Sequence, residues 1–202
     1  MDTLKAEKRD MTTKAKKLRR DGYVTGNVFG REIDGSIPVK ITKKDADRLF
    51  KSKKRGSQIM LDVEGQKMDV LIKDISYNAM KGQIEELDFQ ALVSNEKVHS
   101  VAEVVILNHD KVQGAIVQQV LEEIAYRALP SALVEKVEID VAEMKAGDVV
   151  KVKDLPIAAD KDVELHTPLD ATVVMITVPH NSAIAEEPAA GDEAAEKTDK
   201  AK

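Results

Sequence analysis

The residues with the clearest chemical potential lie between Lys14 and Gly22. This stretch, "KAKKLRRDG", puts five cationic side chains in nine positions. Cations at that density suit phosphates: each neutralised phosphate releases condensed counterions, and guanidinium groups such as Arg19 and Arg20 can grip phosphate or base edges in a bidentate way. The competing reading is a solvated helix face. Such faces usually interleave Glu with Lys, and no acid lies between Lys14 and Arg20. A second basic run, "KSKKRG" at residues 51–56, poses the same choice.

The charge of the whole chain gives that run its context. The 202 residues carry a net charge of -5, but residues 1–60 hold 17 Lys and Arg against 8 Asp and Glu, and the rest hold 14 against 28. A basic functional half followed by an acidic, solubilising half points to a polyanionic partner, either nucleic acid or a membrane surface. The membrane reading is weak, because Leu18 is the one large apolar residue in the basic run and no apolar face accompanies it.

Other chemistries find less support. The chain has no Cys, so disulfides, thiolate zinc sites and thiol catalysis are excluded. His99, His109, His166 and His180 do not fall at metal-ligand spacings. There is no phosphate-binding P-loop, no dinucleotide fingerprint and no nucleophile elbow. Paired carboxylates (Glu85 with Glu86, Asp45 with Asp47, Glu122 with Glu123) arise by chance in a chain that is 33% charged. The expectation is a non-enzymatic protein without cofactor, metal or small-molecule substrate. Without an apolar leader or a run long enough to cross a bilayer, it is expected in the cytoplasm.

The elements that must position the basic run are mostly strands. Residues 3–9 alternate weakly as a first strand. Thr12 and Thr13 offer an N-cap to a short helix that Gly22 would end. Asp34-Gly35 is a turn signal before the alternating strand "SIPVKIT". A helix is predicted from near Thr42 to Gly56, with Ala46, Leu49 and Phe50 at helical spacing. Two β-rich runs flank Glu64-Gly65, which predicts a hairpin, and "GQIEELDFQALVS" adds another strand. From about Glu96 the chain becomes Val-heavy with frequent turns, an antiparallel β domain by pattern. Within it, "GAIVQQVLEEIAYRALP" fits a helix or two short strands equally. After Ile184 the chain is Ala, Glu and Lys without large apolar residues, the composition of a disordered tail.

The chain resembles the bacterial CTC, or general stress protein, family of large-subunit ribosomal proteins, the two-domain long form of the ribosomal protein numbered twenty-five. The likeness runs over about residues 4–180. It rests on "AEKRD", "KKLRRDGYVTGNVFG", "SIPVKI" and "VLIKDISYNAMKGQIEELDF" in the first half. In the second it rests on "GAIVQQVLEEIAYRALPSALVEKVEIDVAEMKAGDVVKVKDLP", with its Leu-Pro, its alternating strand ending in Asp, its Gly-Asp turn and its "DLP". The resemblance implies a mainly β fold with a few helices: a small β-barrel domain binding 5S ribosomal RNA, then a mainly β domain reaching neighbouring large-subunit components. The expected boundaries are 1–94, 95–181 and an acidic tail at 182–202.

Carried over residue by residue, the resemblance assigns RNA contact to Arg9, Lys16, Lys17 and Arg19 and a place in the same surface to Asp88. Charge adds Lys14 and Arg20. Four positions depart from the family pattern: Phe29 replaces a Tyr, Glu86 a His, Ser76 a Gln and Thr25 a Pro. Glu86 sets a carboxylate where an RNA-facing imidazole is expected, and like charges repel. The leading expectation is therefore a ribosomal protein docking electrostatically on 5S ribosomal RNA, with polar shape readout from strand ends near Asp88. Asp88 either positions that surface or caps a turn beside Phe89. The alternative is a divergent paralogue with weakened RNA binding that serves as a protein-interaction or stress-response module.

Overall fold

The computed structural model describes residues 3–112 and 115–178. The chain is mainly β and folds around two separate hydrophobic cores. The first draws on residues from Leu4 to Phe89 and the second on residues from Ala102 to Ile176.

Six strands close the first core into a barrel. They are β1 (Thr3–Lys8), β2 (Tyr23–Phe29), β3 (Ser36–Thr42), β4 (Gln58–Val63), β5 (Gln66–Asn78) and β6 (Gln83–Ala91), in the spatial order β1-β3-β2-β6-β5-β4. Sequential neighbours such as β2 with β3 and β4 with β5 pair antiparallel. Closure comes from two parallel pairs, β1 with β4 and β2 with β6. Strand alternation puts Val24 and Val28, Ile59, Leu61 and Val63, and Leu87 and Phe89 inside. The Glu64-Gly65 turn has φ of 53° and 93°, so both positions are left-handed, as the twist of a two-residue hairpin requires.

Two helices flank the barrel, and each departs in part from the sequence pattern. Helix α1 (Ala15–Arg20) has Lys14 as its N-cap, with no side-chain capping bond. Thr12 does not cap it, because Asp10 accepts bonds from both its amide (2.9 Å) and its hydroxyl (2.6 Å). These bonds hold the Asp10 carboxyl below its usual pKa. Helix α2 (Lys43–Ser52) starts as expected, the Thr42 hydroxyl accepting from the Asp45 amide. Ala46 and Leu49 are buried, and Phe50 stacks on Tyr77 with ring centroids 5.4 Å apart. It stops at Ser52 rather than Gly56, since Lys53 turns extended at φ −129°, ψ 145°.

The second core lies between two small sheets. One contains β7 (Val98–Leu107), β9 (Glu123–Ala128), β10 (Lys136–Asp140) and β12 (Val163–Leu165) in the order β10-β7-β9-β12. The other contains β8 (Ile116–Gln119), β11 (Val149–Lys151) and β13 (Thr172–Thr177) in the order β11-β13-β8. The ambiguous stretch after Gly114 thus resolves as two strands, β8 and β9. The all-antiparallel expectation fails at one pair: β10 runs parallel to β7, reached by a crossover from β9 through the Pro130–Ala132 turn. At that crossover the buried Tyr126 hydroxyl donates to the Val134 carbonyl (2.9 Å) and accepts from its amide (2.8 Å). The expected tail at 182–202, and His180, lie outside the described residues.

Gly56 is the tightest point between the two halves. It is buried, has φ +82°, and any Cβ there would collide with the Val101 carbonyl oxygen. Gly56→Ala should therefore prise the halves apart while each core survives. The expected readout is faster proteolysis and amide exchange in residues 92–97, with the β7–β9 and β2–β6 amides still protected. Loss of protection throughout both cores would contradict this.

Candidate nucleic-acid interface

Two basic runs were candidates for meeting an anion, and the structure gives them different fates. In "KSKKRG" three cations, Lys53, Lys54 and Arg55, turn to carboxylates, mostly of the second half, while Lys51 stays exposed. The Lys53 ammonium lies 2.8 and 2.9 Å from the two Glu135 oxygens, Lys54 lies 2.5 Å from Glu103, and Arg55 lies 3.7 Å from both Glu123 and Asp74. Glu103, Glu123 and Glu135 come from β7, the β9 start and the residue before β10, and Asp74 from β5. The pairs to the three Glu join the two halves, and most of the basic surplus of this run is cancelled locally.

The first run keeps its charge. Lys14, Lys16, Lys17 and Arg20 are exposed on α1 and its N-cap, and none has a carboxylate within 4 Å among the described residues. Arg19 behaves differently. Its Nε donates to the Glu85 carbonyl at 3.1 Å and its Nη1 lies 3.8 Å from the Glu85 carboxylate. It therefore ties α1 to the start of β6 and is not a free phosphate fork. Arg9 is also tethered: half-buried after β1, it donates from Nη2 to the Thr13 carbonyl at 3.3 Å, while its Nε is buried without a partner.

Beside α1 lies the outer face of β2, β6 and β5. Parallel register sets Thr25 against Glu86, Asn27 against Asp88 and Phe29 against Gln90. On the other side of β6, Ser76 stands opposite Glu86 and Asp74 opposite Asp88. The register thus puts all four sequence departures, Thr25, Phe29, Ser76 and Glu86, on this side of the wall, but Thr25 is buried, its hydroxyl donating to the Glu85 carbonyl at 3.2 Å. Phe29 is half-buried there. Asp88 stands in the middle of β6, so it neither caps a turn nor marks a strand end. Its carboxylate accepts from the Asn27 amide at 3.4 Å, and Glu86 accepts from the same amide at 3.5 Å.

Asn27 was not singled out in the sequence, yet it is the group that separates two carboxylates. Its outward position follows from β2 alternation, between the buried Gly26 and Val28. The polar pairing across strands was not legible, because register fixes it. Asn27→Ala should leave Glu86 and Asp88 facing each other without a shared donor, at a cost of about 1 kcal/mol. A urea melt showing no loss beside a matched surface Ala control would contradict that role.

Comparison with known proteins agrees with this architecture. The family model for the ribosomal L25p family matches residues 4–89, and that for the C-terminal domain of ribosomal protein TL5 matches residues 97–180. Among curated relatives, the large ribosomal subunit protein bL25 of Methylobacillus flagellatus is 31% identical, the match covering 91% of this chain and 93% of the relative. That of Dictyoglomus thermophilum is 31% identical over 87% of this chain and 89% of the relative. That of Caldicellulosiruptor saccharolyticus is 29% identical over 90% and 88%. With both domain families present in order and near full-length coverage, the chain belongs to the bL25 family of ribosomal proteins in its two-domain form, a structural family rather than a catalytic one.

Proposed function

We propose that this protein is a structural component of the large ribosomal subunit, in the cytoplasm, and binds 5S ribosomal RNA through its N-terminal barrel. The boundary is placed after residue 94, with the second domain facing neighbouring subunit components. One observation carries the reading: the run on α1 keeps four of its five cations free among the described residues, whereas Lys53, Lys54 and Arg55 of the second run are paired, and α1 borders the polar face of β2, β6 and β5. Lys14, Lys16, Lys17 and Arg20 supply the electrostatic attraction. Arg19 and Arg9 hold the helix and its preceding loop in place. Asn27, Asp88, Gln90 and Phe29 offer a flat, mixed surface to the wide, shallow groove of an irregular RNA stem, where base edges and hydroxyl groups are exposed.

One feature favours the second reading, a paralogue with reduced RNA affinity. Glu86, Asp88 and Asp74 place three carboxylates on the proposed contact face, and phosphates approaching it meet repulsion.

Salt titration separates the two. The full chain should bind 5S ribosomal RNA with an affinity that falls with salt. Replacing Lys16, Lys17 and Arg20 together by Ala should lower the slope of that dependence by about two to three, at roughly 0.7–0.9 per lost phosphate contact. Replacing Lys53 and Lys54 should leave the slope unchanged. If the native chain does not bind and Glu86→His gains binding, the paralogue reading stands instead.

A further inference from the structure

A cavity of about 140 Å³ sits between the two halves, next to the Gly56 contact. Arg55 and Lys73 reach it from the barrel, His99 and His166 from the second domain, and Leu71 and Tyr126 supply apolar wall. No carboxylate lines it. The rest of this junction joins Lys or Arg to carboxylates, so a hollow whose charged and titratable edge is Arg55, Lys73, His99 and His166 needs a separate explanation.

The details point the same way. The Lys73 ammonium donates to the His99 carbonyl at 2.9 Å and has no carboxylate within 4 Å among the described residues. Burial first, and then Arg55, push its pKa below the ordinary Lys value. The two imidazoles lie with ring centroids 4.7 Å apart. Burial lowers the His99 pKa, and His166, Arg127 and Lys73 lower it further, with Glu164 acting against them. Nearby acids are already engaged: Glu164 pairs with Lys97, while Asp74 and Glu123 pair with Arg55. The Tyr126 hydroxyl is taken by Val134.

We propose that the cavity is a binding site for a phosphate-class oxyanion. Lys73 supplies the unpaired charge, Arg55 borders the site with its guanidinium already shared between Asp74 and Glu123, and the ring nitrogens of His99 and His166 donate hydrogen bonds. The anion bridges the two domains. Binding of a phosphodiester tightens as pH falls below the ordinary His range, because protonation turns the His99 imidazole into a two-donor cation. The phosphate is either that of an RNA backbone or a free ion, and the site stands whether or not the barrel binds 5S ribosomal RNA.

The test is proton NMR of the imidazole resonances of the full chain. Inorganic phosphate is titrated against chloride at matched ionic strength, and an RNA stem is titrated in parallel. Phosphate should shift the His99 and His166 resonances, raise the His99 titration midpoint and leave His109 unmoved. Lys73→Met should weaken the apparent phosphate affinity by about tenfold or more, the loss of one charged hydrogen bond. Lys73→Arg should restore it, which separates a binding defect from a folding one. If RNA moves the same two resonances and inorganic phosphate competes, the source is backbone phosphate. If inorganic phosphate alone moves them, the ligand is a free anion. Chloride matching phosphate in every shift, or Lys73→Met binding phosphate as the native chain does, overturns the proposal.

Discussion

The barrel must be closed, and closure decides where every side chain in the N-terminal half can go. Each strand alternates between an interior that admits only apolar atoms and an exterior that does not. Two parallel pairs bring distant parts of the chain together: β1 meets β4, and β2 meets β6. Because β2 and β6 are neighbours only through closure, Thr25, Asn27 and Phe29 come to lie beside Glu86, Asp88 and Gln90. The polar face is a product of topology. So is the position of α1, which follows β1, enters β2 and is held to β6 by Arg19 and Glu85.

Charge is allotted on the same frame. Long flexible cations are easily satisfied by acids at a domain junction, and each such pair forfeits a phosphate contact. Lys53, Lys54 and Arg55 take that route. The residues of α1 do not: among the described residues the one ion pair its cations make is that of Arg19 with Glu85. The overall acidity of the chain therefore coexists with a basic helix: the acids neutralise most of one run and leave most of the other charged.

Much of this was legible from local pattern. Asp34-Gly35 and Glu64-Gly65 marked turns, Thr42 marked the start of α2, and the alternation of "SIPVKIT" marked β3. Where local chemistry had two solutions, the sequence could not choose. Thr12 was available as a cap, but Asp10 two residues earlier captured it. The stretch around Val120 fitted two periodicities until pairing with β13 and β7 selected strands. Long-range electrostatics was the least visible. Lys53 and Glu135 are 82 residues apart, and nothing in the spacing of "KSKKRG" distinguishes it from "KAKKLRR". The resemblance located the four departures at contact positions, and the register then placed them on one side of the wall with Asn27 between the two acids.

The glycine contact and the ion pairs around it bear on how the molecule would act as a mechanical part. Two beads on the short string of residues 92–97 would tumble independently, and a grip by one would say little about the bearing of the other. Pinned at Gly56 and by Lys53, Lys54 and Arg55, they turn as one lever. Whatever turns the barrel then turns both sheets of the second half with it.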